Sequence, residues 1–366
     1  SYLAYGGVSG SSSAEAGGAG TVFLYHLYHE HRTLLIDNNG QSALNKHMTY
    51  NQLDREGGKA WIMPESGIQK FADSESNFHF EELQIYGKAH FAVWPSSKNN
   101  SSIYFRDMIG DRSGMVHVGP WQNLDLQREE IDLPFSVYVY KDGHLGLAPR
   151  TFVHGVEIIL RGTLSHVRNI TLHHAAQFWL LHGGRTTNMS IHQYQFDFVR
   201  IQDTAIVHAV TSPVKDPGIT FYTQSMKIEG GGLLRGTRLT FTTTNLTIDD
   251  GGKLIADNLG YNTSHGFSGK GLHGLINPGA GVSSVNGGSG AGHGGRGGRG
   301  KKTNGATITG APYDDLYEPD MFGSAGGRRD SAQRGGNGGG VIWMNVTNTI
   351  NIDGIVSANG EAGPSV

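Results

Sequence analysis

Cysteine is absent from the 366 residues, which excludes a disulfide framework and any zinc-thiolate site. Proline is scarce at 11 residues, and no apolar run approaches the ~18 residues that a membrane-spanning helix needs. Charge of either sign is not in surplus: 29 Lys plus Arg stand against 32 Asp plus Glu, for a net charge of -3. That balance leaves no overall field for holding nucleic acid or an anionic membrane, so any polyanion site has to be local. Helical periodicity is missing apart from a short stretch at 50–57. The sequence opens Ser1-Tyr2-Leu3 without an initiator Met or a charged-then-apolar leader, and it is expected to be an internal piece of a longer, processed protein.

What is plentiful is glycine, with 56 residues, roughly twice average usage and without the every-third spacing of collagen. Sequons are also frequent: Asn-x-Ser/Thr occurs at Asn99, Asn100, Asn169, Asn188, Asn245, Asn262 and Asn345. They predict a secreted, extracellular glycoprotein carrying N-linked glycans.

The strongest internal signal is a gapless self-match at a spacing of 20. SMKIEGGGLL (225–234) lies over NLTIDDGGKL (245–254), so that Met226 meets Leu246, Ile228 meets Ile248 and Leu234 meets Leu254. Each unit alternates apolar and polar residues, breaks at a glycine pair and resumes, which reads as strand, tight turn, strand. One such unit cannot bury its own inward side chains, so it predicts stacking on neighbours. Looser copies stand at 83–94, 136–147, 156–164, 168–181 and 188–199. A second correspondence, at a spacing of 320, lays 21–37 over 341–357 and is read as a superrepeat.

These features predict an all-β, right-handed parallel β-helix (β-solenoid) with a glycine-rich insertion. The expected divisions are a glycine-rich start with a strand pair and loop region at 1–77, solenoid rungs at 78–265, the insertion at 266–340, and a strand pair opening the next module at 341–366. In the insertion 25 of 75 residues are glycine. A flexible linker is one reading of it; glycine stretches packed side by side as extended helices, which need the missing Cβ, is the other.

GYNTSHGFSG, GAGHGGRGG, APYDDLYEPDMFGSAGG and GGNGGGVIWMNVTNTINIDGIVSANGEAG resemble segments of large glycine-rich secreted proteins of invertebrates and protists, whose repeats are similar to pectin-lyase-like β-helices. The resemblance covers mainly 225–366 and implies an extracellular solenoid in a matrix, coat or filament. It carries over no active site.

Candidate chemistry is thin. Pectinolytic β-helices use convergent carboxylates, and the candidates are Asp249-Asp250, Asp314-Asp315 with Glu318 and Asp320, and Arg106-Asp107 with Asp111-Arg112. None of these sets is specific, and because adjacent acids on a strand face opposite ways, Asp249 and Asp250 form no dyad unless the turn before Gly251 reorients them; no catalysis is expected. Asp314, Asp315, Glu318 and Asp320 are weak calcium candidates, and no other metal or cofactor is expected. His26, His29 and His31 would need a bulge to share a metal; His173-His174 has no ligand spacing. Arg296, Arg299, Lys301 and Lys302 are candidates for contact with an anionic polysaccharide. Trp94, Trp179 and Trp343 suit either sugar stacking or the core, with the core favoured for Trp179 and Trp343.

The expected function is a structural extracellular glycoprotein, whose partners are copies of itself or neighbouring modules. A carbohydrate-binding adhesin is the alternative, and a polysaccharide lyase or glycoside hydrolase the third reading. Neither nucleic acid nor a membrane span is expected.

Overall fold

The computed structural model describes residues 20–26, 31–40, 61–62, 72–74, 77–93, 101–211, 218–261, 269–270, 276–277, 300–301, 307–308, 313–315, 320–327 and 335–362. Among them the chain is all-β, with strands and turns and no helix. It divides into two compact units, Ser1–Ile206 and Val207–Val366.

In the first unit successive strands are dealt in rotation to three sheets. Met115–Val118, Gln122–Leu126 and Glu130–Leu133 make one circuit; Ser136–Val139, His144–Gly146 and Arg150–His154 the next; Glu157–Leu160, Thr163–Ser165 and Asn169–His173 a third. Each strand pairs in parallel with its counterpart one circuit later. Val116 lies beside Val137, Val137 beside Ile158, and Ile158 beside Phe178. The repeat is thus about 20 residues per circuit, the length of a β-helix rung. Parallel strands buried on both faces read as continuous apolar runs, and Ser136–Val139 and Glu157–Leu160 do so. On one face lies the row of Val116, Val137, Ile158 and Phe178; on the other Tyr138, Tyr140 and Ile159 form a second apolar layer, against which Trp179 packs half-buried.

At the start of this unit Gly20–His26 and His31–Asp37 form an antiparallel hairpin, whose second strand then pairs in parallel with Asn77–Tyr86.

The second unit stacks two parallel sheets of three strands. Ile219–Ile228, Arg238–Ile248 and Val341–Ile352 form one; Leu233–Gly236, Lys253–Ile255 and Ile355–Ser357 form the other. The sequence self-match is the ladder register itself: Met226 pairs with Leu246, Ile228 with Ile248 and Leu234 with Leu254. Phe221 and Phe241 stack at 5.6 Å, nearly coplanar, and both are buried. Gly231 and Gly251 hold the turns at φ +80 and +76, a left-handed conformation that costs glycine least.

The strand beside Arg238–Ile248 in this sheet is Val341–Ile352, much later in the chain: Arg238 pairs with Val341 and Ile248 with Ile352, with a register shift between Thr243 and Asn245. The segments 21–37 and 341–357, matched at a spacing of 320, are built differently. The first is an antiparallel hairpin, whereas the second holds two strands, Val341–Ile352 and Ile355–Ser357, that each pair in parallel with a neighbour in a different sheet. Alternating apolar residues suit either arrangement, so the match in pattern did not specify the pairing.

Where the glycines before Val341 are described, extended segments lie side by side. The amide of Tyr261 donates to the Gly323 carbonyl (3.0 Å), that of Gly323 to Gly339 (2.9 Å), that of Gly260 to Gly338 (2.8 Å) and that of Gly326 to Gly336 (2.9 Å). A Cβ on Gly323 would lie 2.7 Å from the Gly339 nitrogen, so the approach requires glycine. These described residues lie side by side as extended segments, and most of the 266–340 stretch lies outside the described residues. Tyr261, Phe322 and Val341 form a small core beside them, and the Arg238 guanidinium lies 4.8 Å from the Phe322 ring centroid.

Candidate functional site

Three turns of the first unit, taken from successive circuits, stack on one another. Strand Arg150–His154 ends at His154 and turns at Gly155, with φ +64; strand Asn169–His173 turns at His174 and Ala175, with φ +50 and +61; strand Gln193–Ile201 turns at Asp203 and Thr204, with φ +50 and +66. The backbone ties the turns together. The Gly155 amide donates to the His173 carbonyl (3.4 Å), and the Ala175 amide to the Asp203 carbonyl (3.2 Å) and to Thr204 Oγ1 (3.1 Å).

This stacking gathers imidazoles. His154 and His173 are register partners on adjacent strands, and the left-handed backbone at His174 swings its ring back toward both. The ring of His154 lies 4.5 Å from each of the other two, and one ring nitrogen from each histidine lies within 4.8 Å of the others. The Nδ1 atoms of His173 and His174 are 2.8 Å apart, and Asp203 Oδ2 is 3.9 Å from His174 Nδ1. His154 and His173 are half-buried and His174 exposed. Burial, then the imidazoles of His154 and His174, lower the pKa of His173 against the weaker opposing pull of Asp132 and Asp203. The shift favours the neutral ring, the form that donates a lone pair. Sequence reasoning passed over His173-His174 because the third member stands nineteen positions earlier and joins only through the ladder.

A second histidine set is buried. His90 Nδ1 lies 2.9 Å from His117 Nε2, and His117 Nδ1 lies 3.3 Å from the Tyr140 hydroxyl. A third resembles a hydrolytic triad in composition: Ser165 Oγ is 2.7 Å from His144 Nε2, and Asp125 Oδ1 is 3.8 Å from the same nitrogen. A triad needs the carboxylate on the opposite ring nitrogen, where it fixes the tautomer that accepts the serine proton. Here acid and hydroxyl share Nε2, so the set is not arranged for that relay.

The residues singled out in the sequence are dispersed. Asp249 lies 3.1 Å from Lys227 Nζ, beside the shorter Lys227–Glu229 pair at 2.6 Å, and Asp250 is exposed on the turn. Asp107 pairs with Arg128 at 2.5 Å and Arg112 with Asp132 at 2.6 Å, while Asp111 accepts from the Gly87 amide and from Ser113; Arg106 is exposed. The Asp314 carboxylate accepts from the amides of Asp315, Asp320 and Met321, so its oxygens serve the loop; Asp320 contributes its carbonyl to Arg238. Glu318, Arg296, Arg299, Lys302, His29 and Trp94 lie outside the described residues, as do Asn99, Asn100, Asn262 and the 50–57 stretch. Lys301 lies in the short strand Gly300–Lys301. His31 is exposed 3.8 Å from Glu82, and His26 ends the first hairpin strand.

Of the sequons, Asn188 is exposed on a left-handed turn (φ +65) and Asn345 is exposed on its strand, whereas Asn169 and Asn245 are half-buried. Trp343, expected in the core, is 38% exposed. It pairs with Thr240, which alternates outward from buried Leu239 and Phe241, so the dense apolar run around it does not place it inside. Comparison with protein-family models, with curated proteins and with solved structures finds no match.

Proposed function

We propose that the chain is a right-handed parallel β-helix serving as a structural segment of an extracellular, N-glycosylated matrix, coat or filament. The reading rests on one observation: the rung Val341–Ile352 with Ile355–Ser357 lies in register on its neighbour but leaves its inward row uncovered. Ile350 and Ile352, stacked on fully buried Leu246 and Ile248, are 53% and 41% exposed. A solenoid that ends in solution closes with a polar cap, so an apolar rung of this kind suits another rung, from a neighbouring module or a second copy. Right-handedness follows from the general preference of parallel crossovers. The resemblance of the 225–366 segments to glycine-rich secreted proteins points to the same role, and the carboxylates of Asp107, Asp111, Asp249 and Asp314 already serve a cation or a backbone amide, which favours a scaffold over a catalyst.

The test is electron microscopy of the purified chain over rising concentration, beside a variant carrying Ile350→Asp and Ile352→Asp. Linear assemblies formed by the parent and lost in the variant are expected. Single particles at every concentration, or assemblies indifferent to the substitutions, would refute the reading.

A further inference from the structure

The three-histidine turn stack is independent of the scaffold role and has a chemistry of its own. All three donors are imidazole nitrogens, a set that suits zinc, copper and nickel and is poor for calcium or magnesium, which take oxygen. At metal–nitrogen bonds of about 2.0–2.1 Å, ligand atoms of one ion stand roughly 3–3.4 Å apart. Here the nitrogens lie within 4.8 Å of one another, with one pair at 2.8 Å, so small rotations of half-exposed rings close the gap. The Asp203 carboxylate sits at the same turn edge, 3.9 Å from His174 Nδ1, and supplies a negative charge beside the donors. Exposed His174 leaves an entry path from solvent.

The 2.8 Å contact is compatible with an N–H···N hydrogen bond between the two rings, and a cation taking the place of that proton would use both Nδ1 lone pairs.

We propose that His154, His173 and His174 bind a divalent first-row transition ion, with Asp203 as a further ligand or outer partner, and that the ion staples the turns of consecutive circuits. The protein offers three nitrogens and leaves any remaining position to Asp203 or water. A staple of this kind adds stability by mass action, because His154 stands nineteen positions before His173 in sequence and the donors gather only in the folded chain.

The experiment titrates Zn²⁺ alone and Cu²⁺ alone into metal-free chain, followed by calorimetry and by electron paramagnetic resonance for copper. One tight site per chain is expected, with nitrogen hyperfine structure in the copper spectrum and a rise in the thermal midpoint. His154→Asn and His173→Ala should each weaken the site by more than the 10–100-fold typical of an outer partner, Asp203→Asn by about tenfold, and His166→Asn at a separate exposed turn not at all. Circular dichroism confirms that each variant folds. Should His173→Ala fail to fold, the His154→Asn variant and the parent copper spectrum decide. A parent without a tight site, a copper spectrum without nitrogen coupling, or variants that bind as the parent does would overturn the proposal, as would equal affinity for Ca²⁺.

Discussion

His90 Nδ1 lies 2.9 Å from His117 Nε2, and the two buried rings stack with centroids 5.2 Å apart. One nitrogen must donate and the other accept, so the pair is compatible with two neutral rings and opposed to two charged ones. Burial lowers His90 to about 4; burial and then the charge of His90 lower His117 to about 3. Both folded-state values lie below that of the unfolded chain, which binds protons the folded chain refuses. Stability is therefore complete above the unfolded value near 6.5 and falls as pH drops toward 4, by on the order of 2 kcal/mol per buried imidazole at pH 4.5. Thermal midpoints at pH 7.5, 6 and 4.5 check this, and replacing both rings, His90→Phe with His117→Phe, should flatten the slope. A midpoint constant over that range would count against it.

The glycine contact between 320–327 and 335–340 predicts a contrast between two substitutions. A Cβ on Gly338 would fall inside the radius of the Gly323 carbonyl oxygen, whereas one on Gly326 finds its nearest atom at 3.5 Å. Gly338→Ala is expected to destabilise by about 2–3 kcal/mol, as overpacking does, and Gly326→Ala by less than about 0.5 kcal/mol. Chemical denaturation of the two variants measures the difference, and equal losses would mean that close backbone approach is not what holds the segments.

Leu246 is fully buried between Met226 and Ile350 in its row, while Thr244 on the same strand is exposed. Leu246→Ala should cost about 2–5 kcal/mol through lost burial and the cavity left behind. Thr244→Ala should stay within about 0.5 kcal/mol. Urea midpoints at constant slope give both numbers.

Sequon position predicts occupancy. Expressed in a secretory host, Asn188 and Asn345 should carry glycan more completely than half-buried Asn169 and Asn245, whose strands leave the transferase less room. Asn245 also accepts a hydrogen bond from Asn348 (2.9 Å). Peptide mass spectrometry reads the occupancy of each site, and full modification of Asn169 with Asn188 bare would reverse the ranking.

The parallel strand pairing was legible because parallel register sets chemically similar residues against one another. Met226 over Leu246 and Ile228 over Ile248 appear in sequence as the same interval that the ladder uses. Alternation alone carried less. It marked Trp343 as part of an apolar strand without saying which face it takes, and it matched an antiparallel hairpin to two strands that pair in parallel in different sheets. The histidine site was illegible for a related reason. The relation of His154 to His173 is a register fact, and the return of His174 depends on a backbone of positive φ that no spacing rule encodes. Asp107, Asp111, Asp249 and Asp314 were the reverse case, conspicuous in sequence and then taken up by local pairing in the fold.

The long sequence interval between the paired strands Arg238–Ile248 and Val341–Ile352 has a kinetic side. Strand Val341–Ile352 pairs with a strand about a hundred residues earlier, so that ladder forms only after a long loop has closed. Loop entropy grows slowly with length, so the interval costs the finished stack little, yet non-local contacts arrive late in folding. The rung with the exposed isoleucines is thereby the one expected to dock last and to detach first. A growing assembly would meet its partner surface only on chains whose folding is complete.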